Sequence, residues 1–60
     1  MKFDEVKVGD HIINTNNPVA IYRVDRKTED LIAVSNMNMN PKDCFHLTKR
    51  SIRKYELYQQ

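Results

Sequence analysis

The sequence predicts a small, mainly β domain in which five short antiparallel strands form a barrel or a strongly bent sheet with one short helical turn. Three observations support this fold class. The chain has 60 residues, enough for a single domain, residues 1–60, with one small core. Short runs rich in β-branched and aromatic residues alternate with polar turn signals. The one segment with helical spacing, residues 49–58, would present only a thin apolar stripe.

The first turn and the first strand are predicted near the start of the chain. Gly9 and Asp10 are a turn signal, because glycine accepts positive φ and aspartate can bond its own downstream backbone. Residues 11–14 then form a short strand. Ile12 and Ile13 are adjacent in it, so they point to opposite faces, and one of the two is expected in the core.

A β-hairpin is predicted in the middle of the chain. Residues 15–18 form a loop, because the proline at its end pushes the preceding asparagine out of helical geometry. Residues 19–24 and 31–35 have strand composition, and the polar segment 26–30 between them suits an exposed hairpin tip.

The core of so short a chain is small, and its stability is expected to be only about 3–5 kcal/mol. Ile21 and Val34, one in each strand of the hairpin, are predicted core residues. Alanine at either position is expected to cost about 2–4 kcal/mol, which approaches the whole stability of the domain.

Residues 36–40 alternate strictly between asparagine and methionine. In a strand, Met37 and Met39 point to one face and the asparagines to the other. The methionines are then gap-filling core residues, or they form an adaptable contact surface on an edge strand, with Asn38 offering hydrogen bonds without charge.

The last segment has two possible structures. Thr48 is a plausible N-cap for one helical turn over residues 49–52. The following residues 53–58 either continue that helix or form a closing strand. We favour the strand, because it places Tyr55 and Leu57 together, where both are expected to contribute to the core.

These residues carry a resemblance to a known fold. The sequence Val6-Lys7-Val8-Gly9-Asp10-His11-Ile12 resembles the opening of many SH3-like barrels, in which a Gly-Asp turn leads into the first strand. Leu47-Thr48-Lys49-Arg50 followed by Tyr55-Glu56-Leu57 resembles the single helical turn and closing strand of the same fold. The resemblance covers most of the chain and implies a five-stranded SH3-like barrel of the kind found in small phage or bacterial accessory proteins. The chain lacks the tryptophan of the peptide-binding SH3 domains, so proline-rich peptides are not expected as ligands.

Catalytic, metal and cofactor sites are not predicted. Cys44 and His46 share a face if their segment is a strand, with Phe45 and Leu47 on the other, but any Cys-x-His strand has this arrangement. Cys-x-His supplies two ligands, whereas structural zinc takes four. The single glycine excludes the usual phosphate-binding glycine loops. We therefore expect a protein that is not an enzyme and binds no cofactor.

A cytoplasmic location is expected, with no membrane partner. No apolar run approaches the roughly 20 residues that span a bilayer. The start of the chain turns acidic where a signal peptide would become apolar. The lone Cys44 forms no internal disulfide, which is typical of a reducing compartment.

The sequence is compatible with two alternative functions. The first is a binding module that docks on and modulates a larger, acidic protein, with self-association through an unpaired edge strand as a variant. The second is nucleic-acid binding through basic and aromatic side chains near the end of the chain. The residues predicted to bind a protein partner are Lys49, Arg50, Arg53, Lys54, Met37 and Asn38. Those predicted to bind nucleic acid are Arg23, Arg26, Lys27, Lys49, Arg50, Arg53, Lys54 and Tyr58.

Overall fold

The computed structural model describes residues 1–37 and 44–58, which form five strands and two short 3₁₀ turns. The strands are all antiparallel and form one sheet in the order β4-β3-β2-β1-β5. The predicted mainly β fold is confirmed at this level. Within the described residues the sheet is open, with β4 and β5 at its edges. In chain order the elements are an N-terminal 3₁₀ turn (Phe3–Glu5), β1 (His11–Asn14), β2 (Asn17–Lys27), β3 (Leu31–Asn36), β4 (Cys44–Thr48), a second 3₁₀ turn (Ser51–Lys54) and β5 (Tyr55–Leu57).

The turn before β1 is confirmed, but Asp10 accepts a hydrogen bond from an upstream backbone N–H and not from the downstream one that was expected. Gly9 has a φ of 95°, a backbone conformation that glycine adopts without steric cost. The side-chain carboxylate of Asp10 accepts a hydrogen bond of 2.9 Å from the backbone N–H of Lys7. In β1, Ile12 is fully buried and Ile13 is half-buried, so the two isoleucines lie on opposite faces as expected.

The hairpin is confirmed, but its first strand is longer at both ends than the composition indicates. β2 continues to Lys27, so the tip predicted over residues 26–30 is confined to residues 28–30. β2 begins at Asn17, so the turn before it is confined to residues 15–16 and the loop predicted over residues 15–18 is too long. The side chain of Asn14 accepts a hydrogen bond of 2.9 Å from the backbone N–H of Asn16, which satisfies the turn and allows pairing to start early.

A β-bulge interrupts β2 at Asp25. Val24 pairs with Val34, yet Arg26 pairs with Ala33, so Asp25 is an extra residue on β2. The bulge reverses the alternation of side chains that follow it, and Arg26 lies on the face opposite Val24. Lys27 returns to the face of Val24. The side chains of Arg26 and Lys27 therefore lie on opposite faces of the sheet.

The core lies on one face of the sheet, which we call the inner face. The N-terminal segment and the second 3₁₀ turn cover this face and add Val6 and Ile52 to the core. Rings on the inner face meet edge to face, with the centroids of Tyr22 and Phe45 5.1 Å apart. The buried apolar side chains of the described residues are Val6, Ile12, Val24, Ile32, Val34, Leu47, Ile52 and Tyr55.

Side chains along each strand alternate between the inner face and the opposite, outer face of the sheet. Two residues that were expected in the core do not belong to it. Ile21 pairs with the half-buried Ile13 and is itself half-buried, so it is not a core residue. Met37 is 49% exposed whereas Asn36 is buried, so the core interpretation of Met37 is wrong. The reason is that Asn36 continues the inward row of Ile32 and Val34. Met39 and Asn38 lie outside the described residues.

The C-terminal part is a helical turn followed by a strand, in the predicted order. Both begin two residues later than expected, because Arg53 and Lys54 belong to the turn and not to the strand. Thr48 is not the N-cap, because Arg50 occupies that position. Instead, the hydroxyl of Thr48 accepts a hydrogen bond from the N–H of Ser51, and the hydroxyl of Ser51 accepts one from the N–H of Thr48. In β5, Tyr55 is buried as expected. Leu57 is 44% exposed, because it lies at the end of a three-residue edge strand, so its assignment to the core is wrong.

Candidate partner-binding site

Two open grooves meet at the half-buried ring of Phe3. One groove, of about 550 Å³, lies between the N-terminal segment and the side chains of Lys49 and Arg53. The other groove, of about 640 Å³, lies between Phe3 and the end of β2 at Lys27, together with the hairpin tip that follows it. The two grooves share Phe3, Asp4 and Lys49, and we call this continuous concave region the Phe3 surface.

The N-terminal segment is held in place by backbone contacts. The N-terminal 3₁₀ turn is closed by a hydrogen bond from the N–H of Val6 to the carbonyl of Phe3, and the side chain of Val6 is buried. The amino group of Met1 donates to the carbonyl oxygen of Tyr55 at 2.6 Å. Because contacts fix both ends of the segment, Phe3 has a defined position beside the second 3₁₀ turn.

Two lysine side chains lie over the ring of Phe3. The ammonium nitrogen of Lys27 lies 4.8 Å from the ring centroid and that of Lys49 lies 5.5 Å from it, both within cation–π range. Lys27 also donates a hydrogen bond of 2.9 Å to the carbonyl oxygen of Val6. Ile52, which is fully buried, anchors the second 3₁₀ turn beside this group. Lysine side chains from two distant parts of the sequence therefore lie against one aromatic ring.

The charge of the Phe3 surface is mixed. Lys49 lies 3.8 Å from the carboxylate of Asp30, and both side chains are largely exposed, so this ion pair contributes at most about 1 kcal/mol. The cations that line the two grooves are Lys2, Lys27, Lys49 and Arg53, and the carboxylates that line them are Asp4, Glu5, Glu29 and Asp30. Positive and negative side chains are thus present in equal number, four of each, and the amino group of Met1 adds one further positive charge.

The predicted partner-binding residues do not lie on one patch. Lys49 and Arg53 line the Phe3 surface, whereas Arg50 and Lys54 are exposed and line neither of its grooves. Met37 is separate from this group, because its N–H donates to the carbonyl of Ile21 beside the outer face. Asn38 lies outside the described residues.

The residues predicted to bind nucleic acid are also divided between faces. Of the three hairpin cations, Lys27 reaches the Phe3 surface, whereas Arg23 and Arg26 lie on the outer face. Arg23 is already paired with Asp25 at 2.9 Å. Tyr58 is half-buried, and its backbone N–H donates to the carbonyl of His11.

Sequence reasoning missed Phe3 as the centre of a site. The ring lies far from Lys49 along the chain, and only the tertiary fold brings them together. The one available signal was an apolar residue among charged neighbours before the first turn, which also suits an ordinary core residue.

The Cys-x-His pair lies on the edge strand β4. Cys44 and His46 lie on the same face of β4, as expected for a strand, and both are exposed. Among residues 1–37 and 44–58, no group of three or more His, Cys, Asp or Glu side chains is placed to hold a metal ion. None of the helical segments in these ranges has the length and hydropathy needed to cross a lipid bilayer.

Comparison with models of known protein families, with curated proteins and with solved structures gave no significant match.

Proposed function

We propose that this chain is a non-catalytic binding module that docks on a larger protein through the Phe3 surface and modulates it. The observation that carries the proposal is a held aromatic ring with two lysine ammonium groups in cation–π range, set where two open grooves meet. Aromatic residues and arginine are enriched in protein interfaces, and a ring fixed before binding loses little conformational entropy.

The mixed charge of the grooves favours a protein over a nucleic acid. A nucleic-acid site gains affinity by releasing counterions from phosphates, which requires a surplus of cations. Carboxylates such as Asp4 and Asp30 would repel a phosphate backbone there. A protein segment with both acidic and basic side chains can pair with both signs.

The molecule is large enough to carry a standard protein interface. A standard protein interface buries about 800 Å² on each partner. That is roughly one sixth of the accessible surface of 4516 Å². One docked partner would therefore cover the Phe3 surface and its rim.

We also propose that the sheet has the SH3-like arrangement and that the protein acts in the cytoplasm. The position of β5 beside β1, and a 3₁₀ turn directly before β5, support this arrangement. The free Cys44 supports a reducing compartment.

The test uses two double charge reversals in the same short segment. C-terminally tagged wild type, Lys49→Glu/Arg53→Glu and Arg50→Glu/Lys54→Glu are used to capture partners from the source cell, with and without nuclease. The two variants change net charge equally, but only the first alters the Phe3 surface. Circular dichroism and thermal unfolding confirm that all three proteins fold.

We expect a nuclease-resistant protein partner that is captured by wild type and by Arg50→Glu/Lys54→Glu, and lost with Lys49→Glu/Arg53→Glu. Equal retention or equal loss in the two variants would refute the proposed surface. Loss of the captured material after nuclease treatment would refute the protein-binding function and favour nucleic acid. In that case, titration with single- and double-stranded oligonucleotides should show affinity that falls steeply with salt.

A further inference from the structure

We propose that the outer face of the sheet carries a pocket for the phosphate group of a small phosphomonoester, formed by Arg26 and His46 on either side of Ala33. The pocket holds about 160 Å³ and is also lined by Thr28 and Leu31. It lies on the face opposite the core, and it does not depend on the Phe3 surface.

The strand register sets the geometry of this pocket. Arg26 pairs with Ala33, and Ala33 pairs with His46, so the three residues form one row across β2, β3 and β4. Directly paired residues have Cβ atoms about 5 Å apart, which places those of Arg26 and His46 about 10 Å apart. The methyl group of Ala33 leaves the space between them open. A group bound above Ala33 is then within reach of both polar side chains.

The rim of the pocket is already ordered. The hydroxyl of Thr28 accepts a hydrogen bond of 3.1 Å from the N–H of Leu31, and it lies 3.3 Å from the carbonyl oxygen of Leu31. These contacts fix the rim at the hairpin tip. The volume is several times smaller than that of either groove of the Phe3 surface. It accommodates a terminal group rather than a continuous chain.

The side chains of Arg26 and His46 have hydrogen-bond donors that no other described residue uses. Among the described residues, neither the guanidinium of Arg26 nor the imidazole of His46 has an ion pair or hydrogen bond, whereas the adjacent Arg23 is paired with Asp25. The planar fork of arginine matches two oxygens of a phosphate, and an imidazole N–H can donate to a third. A terminal phosphate offers three such oxygens, whereas a carboxylate offers two and a phosphodiester has only two unesterified ones.

The test is an NMR titration of the full chain with phenyl phosphate as the phosphomonoester probe. Dimethyl phosphate represents the diester of a nucleic-acid backbone, and acetate represents a carboxylate. We expect saturable shifts of the Ala33 amide and the His46 ring with phenyl phosphate, and a Kd on the order of millimolar for so exposed a site. Arg26→Gln should weaken binding about tenfold or more, because it removes a charge-assisted pair of hydrogen bonds.

The matched control is Arg50→Gln, which removes the same charge from an exposed position outside the pocket. It should change the Kd by less than about twofold, since exposed charges at a distance are screened by salt. Three results would overturn the proposal: no saturable shift in wild type, equal weakening by the two substitutions, or equal affinity for dimethyl phosphate or acetate.

Discussion

The two strands of the hairpin allow a test in which the smaller truncation causes the larger loss of stability. Val34→Ala removes two methyl groups from a side chain that is fully buried on the inner face. At about 0.8 kcal/mol for each carbon, plus the cavity left behind, the expected cost is about 2–3 kcal/mol. Ile21→Ala removes three carbons from a half-buried side chain on the outer face, where water fills the space. Its expected cost is about 1 kcal/mol.

The measurement is urea unfolding followed by far-ultraviolet circular dichroism, with thermal unfolding as a second probe. For a domain of this size, about 1 kcal/mol lowers Tm by roughly 4–8 °C, so Val34→Ala should melt about 10–20 °C below wild type. Unchanged m-values would show that both variants still unfold in two states. If Ile21→Ala costs as much as Val34→Ala, the assignment of these residues to opposite faces is wrong.

Two further predictions concern turns. Gly9→Ala should lower the free energy of unfolding in urea by about 1 kcal/mol through the positive φ alone, because an added Cβ meets no atom within 4 Å. Gly9→Asn should lower it by less, and an equal loss of stability in the two variants would contradict this reasoning. Thr48→Val keeps the shape of the side chain but removes the acceptor for the N–H of Ser51, so the free energy of unfolding should also fall by about 1 kcal/mol. Unchanged urea unfolding would show that this hydrogen bond contributes nothing to stability.

The strands were predictable because their composition and turn signals agree. Gly9 marks the first turn, and the polar hairpin tip separates two β-branched runs. Met37 was misassigned because residues 36–40 were treated as a separate alternating segment. Continuing the alternation from the buried Ile32 and Val34 places Asn36 inward and Met37 outward. The sequence contained this information, but an asparagine in an inward row contradicts the usual preference for apolar residues.

The candidate sites were less predictable, because both bring together residues that are distant in the sequence. Phe3 and Lys49 meet only after the N-terminal segment folds over the inner face. Arg26 and His46 become neighbours only through the register that places Ala33 between them. Charge density along the sequence indicated a basic segment, but it could not show that carboxylates such as Asp4 would share its groove.

The bulge at Asp25 determines which cation of the hairpin lies on each of the two proposed binding surfaces. Without it, strict alternation would place Arg26 on the inner face with Val24, and Lys27 on the outer face. With it, Lys27 reaches the ring of Phe3, and Arg26 is left on the outer face beside Ala33. Bulges often redirect side chains in this way. One extra residue thus decides which of the two cations lies on each face: Lys27 on the face of Phe3, and Arg26 on the face of Ala33.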